Sequence, residues 1–384
     1  MNFSQICNLT FFRILLLLCL FGTLYLILQS EAGFLPKLQV GSRKLQTNDI
    51  KEIPGKGKAV GVREDENPSG SRFLSFCFEE ADFSKSCSYR NVSSPDNIEI
   101  AMILTKAHEI RGLKEKFSVS VSSIFQHTNS TLRFHLICDD HSMIIARKVI
   151  QSIGSLANNF VQIFFYHVDY VIKPVEDVIS YLQPHFTYKP GAYYSDSLFF
   201  LSIVIYRVFP QERLLMIDVD TKFMSDVSDL YSHFKNFTSQ TVIGLAYEQQ
   251  PVYHHLLHEY HQAQPDSLAG MPQPAGSPGF NSGVLLLELQ SMRNSNLYQN
   301  LIQETAVKKL VQKYKFKGHL GDQDLYSLLG FEHKELFHIL PCTWNRQLCH
   351  WWKDHGYEDV FEDYNQCDGE INLYHGNCNT QIPD

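Results

Sequence analysis

The chain has 384 residues, of which 44% are hydrophobic and 13% aromatic, so it can bury a large core and is not a disordered protein. Its net charge of −8 argues against broad nucleic-acid binding, because proteins of that kind normally carry a basic surface. We therefore expect no polynucleotide among its partners.

An uncharged apolar segment at residues 14–28 approaches the length of a membrane span. Two interpretations are open, an uncleaved signal anchor and a signal peptide cleaved near Ser30 or Ala32. The polar stretch that follows favours the anchor, which gives a short tail (1–13), a membrane anchor (14–30), a stem (31–93) and a lumenal domain (94–384). We expect a single-pass type II protein of the endoplasmic reticulum membrane; the Golgi membrane is the alternative.

The predicted stem is rich in Lys, Glu, Gly, Pro and Ser and shows no lasting apolar period, so we expect little structure of its own. Asn91, Asn129 and Asn236 each begin an Asn-x-Ser/Thr triplet. Such triplets are acceptors for N-glycosylation, which agrees with the secretory pathway.

Four of the nine cysteines lie near the carboxyl end, at Cys342, Cys349, Cys367 and Cys378. In a lumenal chain this cluster predicts two disulfides, and the sequence allows three pairings. Zinc is the competing interpretation, but the cluster lacks the short C-x₂₋₄-C spacing of structural zinc sites. Cys77 and Cys87 are a weaker candidate pair.

Strands and helices alternate through the first half of the domain. Strands are predicted at 98–105, 132–138 and 161–166, with helices through 118–125 and at 142–153 between them. A longer helix at 195–208 leads into the apolar strand 213–217. This alternation is typical of a doubly wound parallel sheet.

The second half continues with five predicted segments. They are a strand at 242–246, a flexible Pro-, Gly- and Gln-rich loop at 264–279, an apolar strand at 279–288, an amphipathic helix at 290–313 and a short helix at 325–329. The helix at 290–313 is basic at its end, where cations suit the helix dipole.

Two carboxylates, Asp218 and Asp220, follow the apolar strand 213–217 directly. Open α/β sheets bind ligands at the carboxyl ends of such strands, and both acids can reach one ion. Mg²⁺ and Mn²⁺ prefer carboxylate and phosphate oxygens, and a departing nucleotide diphosphate needs such a cation. The alternative is a turn or helix cap before Ser225. A second Asp-x-Asp, formed by Asp322 and Asp324, is interpreted as helix capping.

The segment His375-Gly376-Asn377 offers a third protein ligand. A neutral imidazole suits a manganese-type ion with mixed oxygen and nitrogen ligands. Gly376 lets the backbone come close to a phosphate. The alternative is a surface turn, since Gly and Asn are common in turns.

Four histidines, His254, His255, His258 and His261, have helical spacing. A zinc site is conceivable, but no H-E-x-x-H motif is present. The favoured interpretation is a solvated helix beside the groove that an acceptor substrate would occupy, with His254 and His255 on that acceptor side.

The three tryptophans are Trp344, Trp351 and Trp352. Trp351 and Trp352 are adjacent and cannot both point into one core from a regular element, so one is expected to face a partner on the acceptor side. Packing of both against the disulfides is the alternative.

Five separated sequence motifs can be considered as one set. They are Leu104-Thr105, Asp218-Val219-Asp220, Phe280-Asn281-Ser282-Gly283-Val284, Leu320-Gly321-Asp322-Gln323-Asp324 and His375-Gly376-Asn377. In this order and spacing they resemble the retaining glycosyltransferases of family 8. The resemblance covers about residues 98–384. It implies an α/β domain of the GT-A type, with a mostly parallel central sheet flanked by helices and a disulfide-braced carboxyl-terminal segment.

The carboxyl end, with its cysteines and tryptophans, is similar to the α-1,3-xylosyltransferases of that family. The similarity implies retaining transfer of xylose from UDP-xylose to the terminal xylose of xylosyl-glucose on folded EGF-like repeats of Notch-type proteins, with Mn²⁺ or else Mg²⁺ as cofactor. The alternatives are another family-8 enzyme, such as a glucoside xylosyltransferase or a glucosyltransferase, and a non-catalytic glycan- or protein-binding module. The oligomeric state is open, a homodimer being one option.

The resemblance also implies a role for each matching residue. The metal would be bound by Asp218, Asp220 and His375. The uridine would be lined by Ile103, Leu104 and Thr105, with the Val219 backbone near the ribose. The donor sugar would be contacted by Asn281, Ser282 and Gly283, and the diphosphate and acceptor by Gly376 and Asn377. Asp322 and Gln323 would border the reacting face, where an oxygen can stabilise a developing oxocarbenium ion. The implied disulfides are Cys342–Cys367 and Cys349–Cys378.

Retention of configuration leaves two mechanisms open. A covalent glycosyl intermediate needs a carboxylate poised below the anomeric carbon. In same-face displacement the leaving phosphate takes the proton of the acceptor hydroxyl. No acid in the sequence is required to be a nucleophile, so same-face displacement is favoured, with Gln323 assisting electrostatically.

Overall fold

The computed structural model of the chain describes residues 74–78, 97–188 and 196–383, and for 74–78 the backbone alone. The predicted anchor at 14–30 lies outside the described residues, as do most of the stem, Asn91 and the side chains of Cys77 and Cys87. Within the described ranges, no helix is both long enough and apolar enough to cross a membrane.

The described strands form one large and one small sheet. They are β1 (Leu74–Phe78), β2 (Ile98–Leu104), β3 (Leu132–Cys138), β4 (Val161–His167), β5 (Arg213–Ile217), β6 (Thr221–Phe223), β7 (Ile243–Tyr247), β8 (Phe280–Glu288), β9 (Phe337–Ile339), β10 (Arg346–Gln347) and β11 (Leu373–His375). The large sheet has the order β1-β4-β3-β2-β5-β8-β7-β9, and the small sheet has the order β10-β11-β6. In the large sheet β8 runs antiparallel to β5 and β7, and the other neighbours are parallel. The predicted mostly parallel sheet is confirmed.

Helices cover both faces of the large sheet. They are α1 (Leu113–His127), α2 (Asp140–Ile153), α3 (Val168–Ile172), α4 (Glu176–Phe186), α5 (Leu201–Val204), α6 (Val227–Ser232), α7 (Val252–Leu256), α8 (His258–Ala263), α9 (Leu289–Asn294), α10 (Asn296–Leu301), α11 (Glu304–Lys313), α12 (Asp322–Glu332) and α13 (Glu358–Asn365). Side chains alternate along β2: Met102 and Leu104 join one hydrophobic cluster with Phe117 of α1, whereas Ala101 joins the other. The sheet is therefore buried on both faces, as in other doubly wound folds.

Two predicted long helices are wrong. Residues 195–208 are described from Asp196 onward and form a 3₁₀ turn (Ser197–Phe200), the short α5 and a second 3₁₀ turn (Ile205–Arg207). The backbone leaves helical geometry at Val204, in a run of buried aromatic and β-branched side chains with low helix propensity. Residues 290–313 form α9, α10 and α11, because Ser295 ends α9 and its hydroxyl accepts from the Tyr298 amide to start α10.

Other boundaries differ from the prediction without changing the topology. Both α1 and α12 extend beyond the predicted 118–125 and 325–329. β1 comes from the predicted stem, where no strand was expected, and pairs in parallel with β4. Residues 264–279 form neither helix nor strand, as predicted, apart from an isolated bridge between Ala269 and Ser277.

Candidate active site

A tight turn between β5 and β6 carries the two acids Asp218 and Asp220. The Asp218 amide donates to the carbonyl of Gly283 on β8 at 2.9 Å, and the Thr221 hydroxyl donates back to the Asp218 carbonyl at 2.9 Å. β11 pairs antiparallel with β6, so His375 lies opposite Thr221. The two acids and the imidazole are thus brought together by strand pairing between distant parts of the chain.

The ligand atoms of Asp218, Asp220 and His375 lie within 4.8 Å of one another. Nε2 of His375 is 3.6 Å from Oδ2 of Asp218 and 3.5 Å from Oδ1 of Asp220. The amide of Asn345 donates to Asn281 at 2.9 Å, which turns the Asn345 oxygen toward Nδ1 of His375 at 3.0 Å. Nδ1 therefore donates, and Nε2 is the nitrogen that faces the two acids and would bind an ion in place of a proton.

The electrostatics of this triad also suit a cation. Burial alone would lower the pKa of the His375 imidazole, but its contacts with Asp218 and Asp220 raise the pKa to about 10. Burial would raise the pKa of Asp220, yet the contact with His375 and the charge of Lys116, 3.5 Å away, hold it below its ordinary value. A positive charge is thus favoured between the acids. Two carboxylates and one imidazole fit a divalent ion such as Mn²⁺ or Mg²⁺.

Gly283 makes room for the imidazole of His375. A Cβ atom at this position would lie 2.2 Å from Cε1 and 2.7 Å from Nδ1 of that ring, far inside van der Waals contact. The glycine of the Asn281-Ser282-Gly283 motif is therefore required by the close approach of β8 to the third ligand.

The predicted donor-sugar and reacting-face residues form one hydrogen-bond network. The Ser282 hydroxyl donates to Oδ1 of Asp322 at 2.9 Å, and the Ser282 amide donates to Oε1 of Gln323 at 3.3 Å. Oδ1 of Asn281 accepts from the Gly283 amide at 3.1 Å. Each of these side chains therefore has a defined orientation beside the metal triad.

Glu248 is a member of this network that the sequence reasoning missed. Its Oε2 accepts from the amides of both Asn281 and Gln323 at 3.1 Å, while Oε1 is buried and has no hydrogen-bond partner. Burial raises the pKa of its carboxyl group to about 7. Glu248 directly follows the apolar strand β7, just as Asp218 follows β5, and that pattern was the available signal.

The interpretation of Asp322 and Asp324 as helix caps is wrong. α12 begins after Gly321 and has no side-chain cap. Asp322 accepts from the hydroxyls of Ser202 and Ser282, and Asp324 accepts from the Leu320 amide at 2.8 Å and from the Tyr253 hydroxyl at 3.1 Å. Burial raises the pKa of both carboxyl groups to about 7. These acids face the protein interior because α12 packs against β8.

The remaining predicted nucleotide contacts lie at the same sheet edge. Ile103, Leu104 and Thr105 end β2 or follow it, and β2 is the parallel neighbour of β5. Their contact with uridine stays a prediction, as does that of Val219. The Gly376 amide donates to the Asp220 carbonyl at 2.8 Å, beside the metal triad.

Asn377 is partly committed to the tail itself. Its side-chain oxygen accepts from the amides of Leu348 and Cys349 at 3.0 and 2.9 Å. These two hydrogen bonds leave the side-chain amide nitrogen of Asn377 as the group that could reach a ligand. Both predicted disulfides, Cys342–Cys367 and Cys349–Cys378, are confirmed. The second disulfide holds the chain three residues after His375.

The four histidines at 254–261 do not share one helix, because α7 and α8 are separated at Leu257. The single-helix interpretation is therefore wrong, and none of the four belongs to a cluster of metal-ligand geometry in the part of the chain that is described. His261 instead bonds the Ala269 carbonyl at 2.8 Å, and Nδ1 of His255 lies 2.5 Å from the Tyr357 hydroxyl.

Trp351 and Trp352 are not both buried in one core, as predicted, although their rings meet edge to face with centroids 5.0 Å apart. Trp351 is 49% exposed and stacks on His355 at 3.9 Å, whereas Trp352 packs against the core and lies 4.9 Å from the ring of His255. Trp344 is buried. The acceptor-side role of His254, His255, Trp351 and Trp352 stays a prediction.

Comparison with known proteins shows the family to which the chain belongs. The model of glycosyl transferase family 8 matches residues 100–372. Mouse xyloside xylosyltransferase 1 is 41% identical over 297 residues, and the human protein of that name is 40% identical over 299; each alignment covers 76% of both chains. The crystal structure of mouse xyloside xylosyltransferase 1 in its apo form superposes with a TM-score of 0.71 and covers 75% of this chain and 100% of that chain. The resemblance found in the five motifs is thereby confirmed, and the chain belongs to glycosyltransferase family 8.

Proposed function

We propose that the chain is a retaining xylosyltransferase that uses UDP-xylose and Mn²⁺, with Mg²⁺ as an alternative ion. The observation that carries the proposal is the intact triad of Asp218, Asp220 and His375, with Nε2 of the imidazole facing both acids. The donor sugar is inferred from the two xyloside xylosyltransferases, which are 40–41% identical to the chain.

Asp218, Asp220 and His375 would hold the ion, which offsets the charge of the departing diphosphate when bound. The chain's own contribution is orientation. The Glu248 carboxylate accepts from the Gln323 amide nitrogen and so directs the Gln323 oxygen toward the Ser282 backbone. That oxygen is a fixed dipole beside the donor-sugar residues, where it can stabilise positive charge at the anomeric carbon.

Same-face displacement remains the favoured mechanism. The buried carboxylates nearest the network are both engaged, since Oε2 of Glu248 accepts two amide hydrogen bonds and Asp322 accepts two hydroxyls. Of their four oxygens only Oε1 of Glu248 has no hydrogen-bond partner, so Glu248 is the one of the two that a covalent mechanism could use. Activity of Gln323→Ala close to that of the parent enzyme would remove the electrostatic role assigned to this residue.

The proposed acceptor is xylosyl-glucose on a folded EGF-like repeat. The exposed Trp351 contacts Trp352, whose ring also lies 4.9 Å from His255 and 5.3 Å from Tyr357. These rings form an aromatic surface of the kind that contacts sugars and folded partners. Two late disulfides support a lumenal domain, because disulfides persist in oxidising compartments. An anchor at residues 14–30 in the endoplasmic reticulum membrane completes the proposal.

The test is donor consumption by the purified full-length chain with Mn²⁺ and xylosyl-glucose-bearing EGF-like repeats. We expect UDP-xylose to be consumed, and UDP-glucose to be consumed much more slowly. The Asp220→Asn variant should be inactive, and an acceptor repeat without glycan should give no product. Preferential use of UDP-glucose would assign the chain to a glucosyltransferase. Consumption of no sugar nucleotide with any acceptor would refute the enzyme proposal in favour of a binding module.

A further inference from the structure

A second cluster of metal-binding side chains lies outside the catalytic triad. His108, Asp139 and His141 each offer one ligand atom, and these atoms lie within 4.8 Å of one another. His108 is in the loop after β2, and the other two residues follow β3. The last residues of these parallel strands, Leu104 and Cys138, are in register, so the loops leave the sheet side by side.

The loop that carries His108 is fixed to the start of α2 by hydrogen bonds. The Lys106 amide donates to Oδ2 of Asp139 at 2.5 Å, and the Ala107 amide donates to the Ser142 hydroxyl at 3.0 Å. Oδ1 of Asp139 accepts from the Ser142 amide at 2.8 Å. The carboxylate and the loop are therefore held in place by contacts that do not involve the imidazoles.

The two imidazoles lie together at the surface, His108 in the loop after β2 and His141 in the first turn of α2. Their rings stack with centroids 4.5 Å apart, and both side chains are exposed. Nε2 of His108 is 3.2 Å from Oε1 of Glu109, so Nδ1 remains as the nitrogen that can face an ion. Histidines that bind metals commonly donate their other ring N–H to a carboxylate in this way.

The surrounding charge favours a cation. The side chain of Asp140, between two of the ligands in sequence, is 86% exposed and lies 3.7 Å from Nε2 of His167, and Glu109 adds a further carboxylate beside His108. The ammonium of Lys106, which belongs to the same loop, lies 3.6 Å from Asp196 and is paired there. The positive charge of Lys106 is therefore offset by Asp196 and does not oppose a cation at the three ligands.

We propose that His108, Asp139 and His141 form a surface site for a divalent ion that prefers imidazole, namely Zn²⁺. Two imidazoles and one carboxylate are a typical zinc set that leaves the fourth position to water, whereas the catalytic triad has more oxygen ligands and suits Mn²⁺. Bound zinc cross-links the loop after β2 to the start of α2 and stabilises both. The proposal is independent of the transferase activity.

The experiment is calorimetric titration of ZnCl₂ into the full-length chain carrying Asp220→Asn, which weakens the competing catalytic site. We expect one zinc ion bound per chain at the new site. Adding His108→Ala or His141→Ala should weaken its binding by about tenfold or more, and Glu109→Gln should weaken it by about tenfold through the orientation of His108. His355→Ala is the matched control, since His355 is also exposed and stacked but belongs to no ligand cluster among the described residues.

A second measurement keeps the test valid if a variant is less stable. Saturating Zn²⁺ should raise the unfolding temperature of the Asp220→Asn chain and of its His355→Ala derivative, and this shift should be lost with His141→Ala. Zinc affinity and thermal shift that are unchanged by both His108→Ala and His141→Ala would overturn the proposal. So would the absence of zinc binding in the Asp220→Asn chain.

Discussion

Replacement of Gly283 by alanine tests whether His375 is a metal ligand without altering any ligand. The added Cβ would lie 2.2 Å from Cε1 of the imidazole, whereas ordinary van der Waals contact begins at 3.4 Å. The ring must therefore retreat by more than 1 Å. Metal–ligand distances in proteins vary by only about 0.2 Å from their usual values, so such a shift would remove the imidazole from the coordination sphere.

The expected result is a loss of Mn²⁺ affinity of about 100-fold, which corresponds to about 2.7 kcal/mol. Overpacking should also lower the free energy of unfolding by about 1–3 kcal/mol. Calorimetric titration of Mn²⁺ in the presence of UDP measures the first effect, and thermal unfolding of the metal-free protein measures the second.

The matched control is Gly330→Ala. Its Cβ would lie 2.2 Å from the ring of Phe280, an equally severe overlap in the core rather than at the site. This variant should lose stability while its Mn²⁺ affinity changes by less than about twofold. Equal Mn²⁺ affinity in Gly283→Ala and the parent would refute the reasoning, because it would mean that His375 does not coordinate the ion.

Three further predictions address the network, the core and the tail. Glu248→Ala should lower kcat by about 10–100-fold because the Gln323 amide loses its acceptor. The side-chain oxygen of Glu248→Gln can still accept that hydrogen bond, so this variant should retain most activity. Inactivity of both variants would favour a nucleophilic carboxylate. The folded-state pKa of Asp324 is raised to about 7 by burial, so its contribution to stability falls as pH rises from about 4 to 7. The unfolding temperature of Asp324→Asn minus that of the parent should therefore increase as the pH rises from about 5 to about 7.5. A difference that does not depend on pH would contradict this. Replacing both Cys349 and Cys378 by serine should weaken Mn²⁺-dependent UDP binding by about tenfold with the other disulfide intact, and unchanged affinity would show that the tail does not complete the site.

The sheet and its functional edge could be predicted because each relevant strand is a short apolar run followed by polar residues. This pattern identified β2, β3, β4, β5 and β8 and placed Asp218 at the end of a buried strand. The pairing of Asp220 with His375 is not a local property of the sequence. His375 was a candidate third ligand from its residue type, and the family resemblance assigned it to the same ion as the two acids. The antiparallel pairing of β11 with β6 supplies the physical basis.

The parts that were not predicted depend on tertiary contacts. Glu248 is the first of three polar residues after an apolar strand, and only its hydrogen bonds to Asn281 and Gln323 identify it as part of the site. The break at Val204 and the burial of Asp324 likewise reflect packing against neighbouring elements.

The pairing of β6 with β11 has a consequence for the order of assembly. Asp220 and His375 are separated by more than 150 residues, and the carbonyl of Asp220 receives its bond from Gly376 only when β11 has docked. During synthesis the sheet edge and both acids emerge long before the imidazole, so a nascent chain that has not reached β11 displays acids without a complete ion site. Formation of contacts this distant in sequence is intrinsically late and slow. We therefore expect a chain that stops before β11 to lack the third ligand of the proposed ion site, and with it the ion that would hold the diphosphate of the donor.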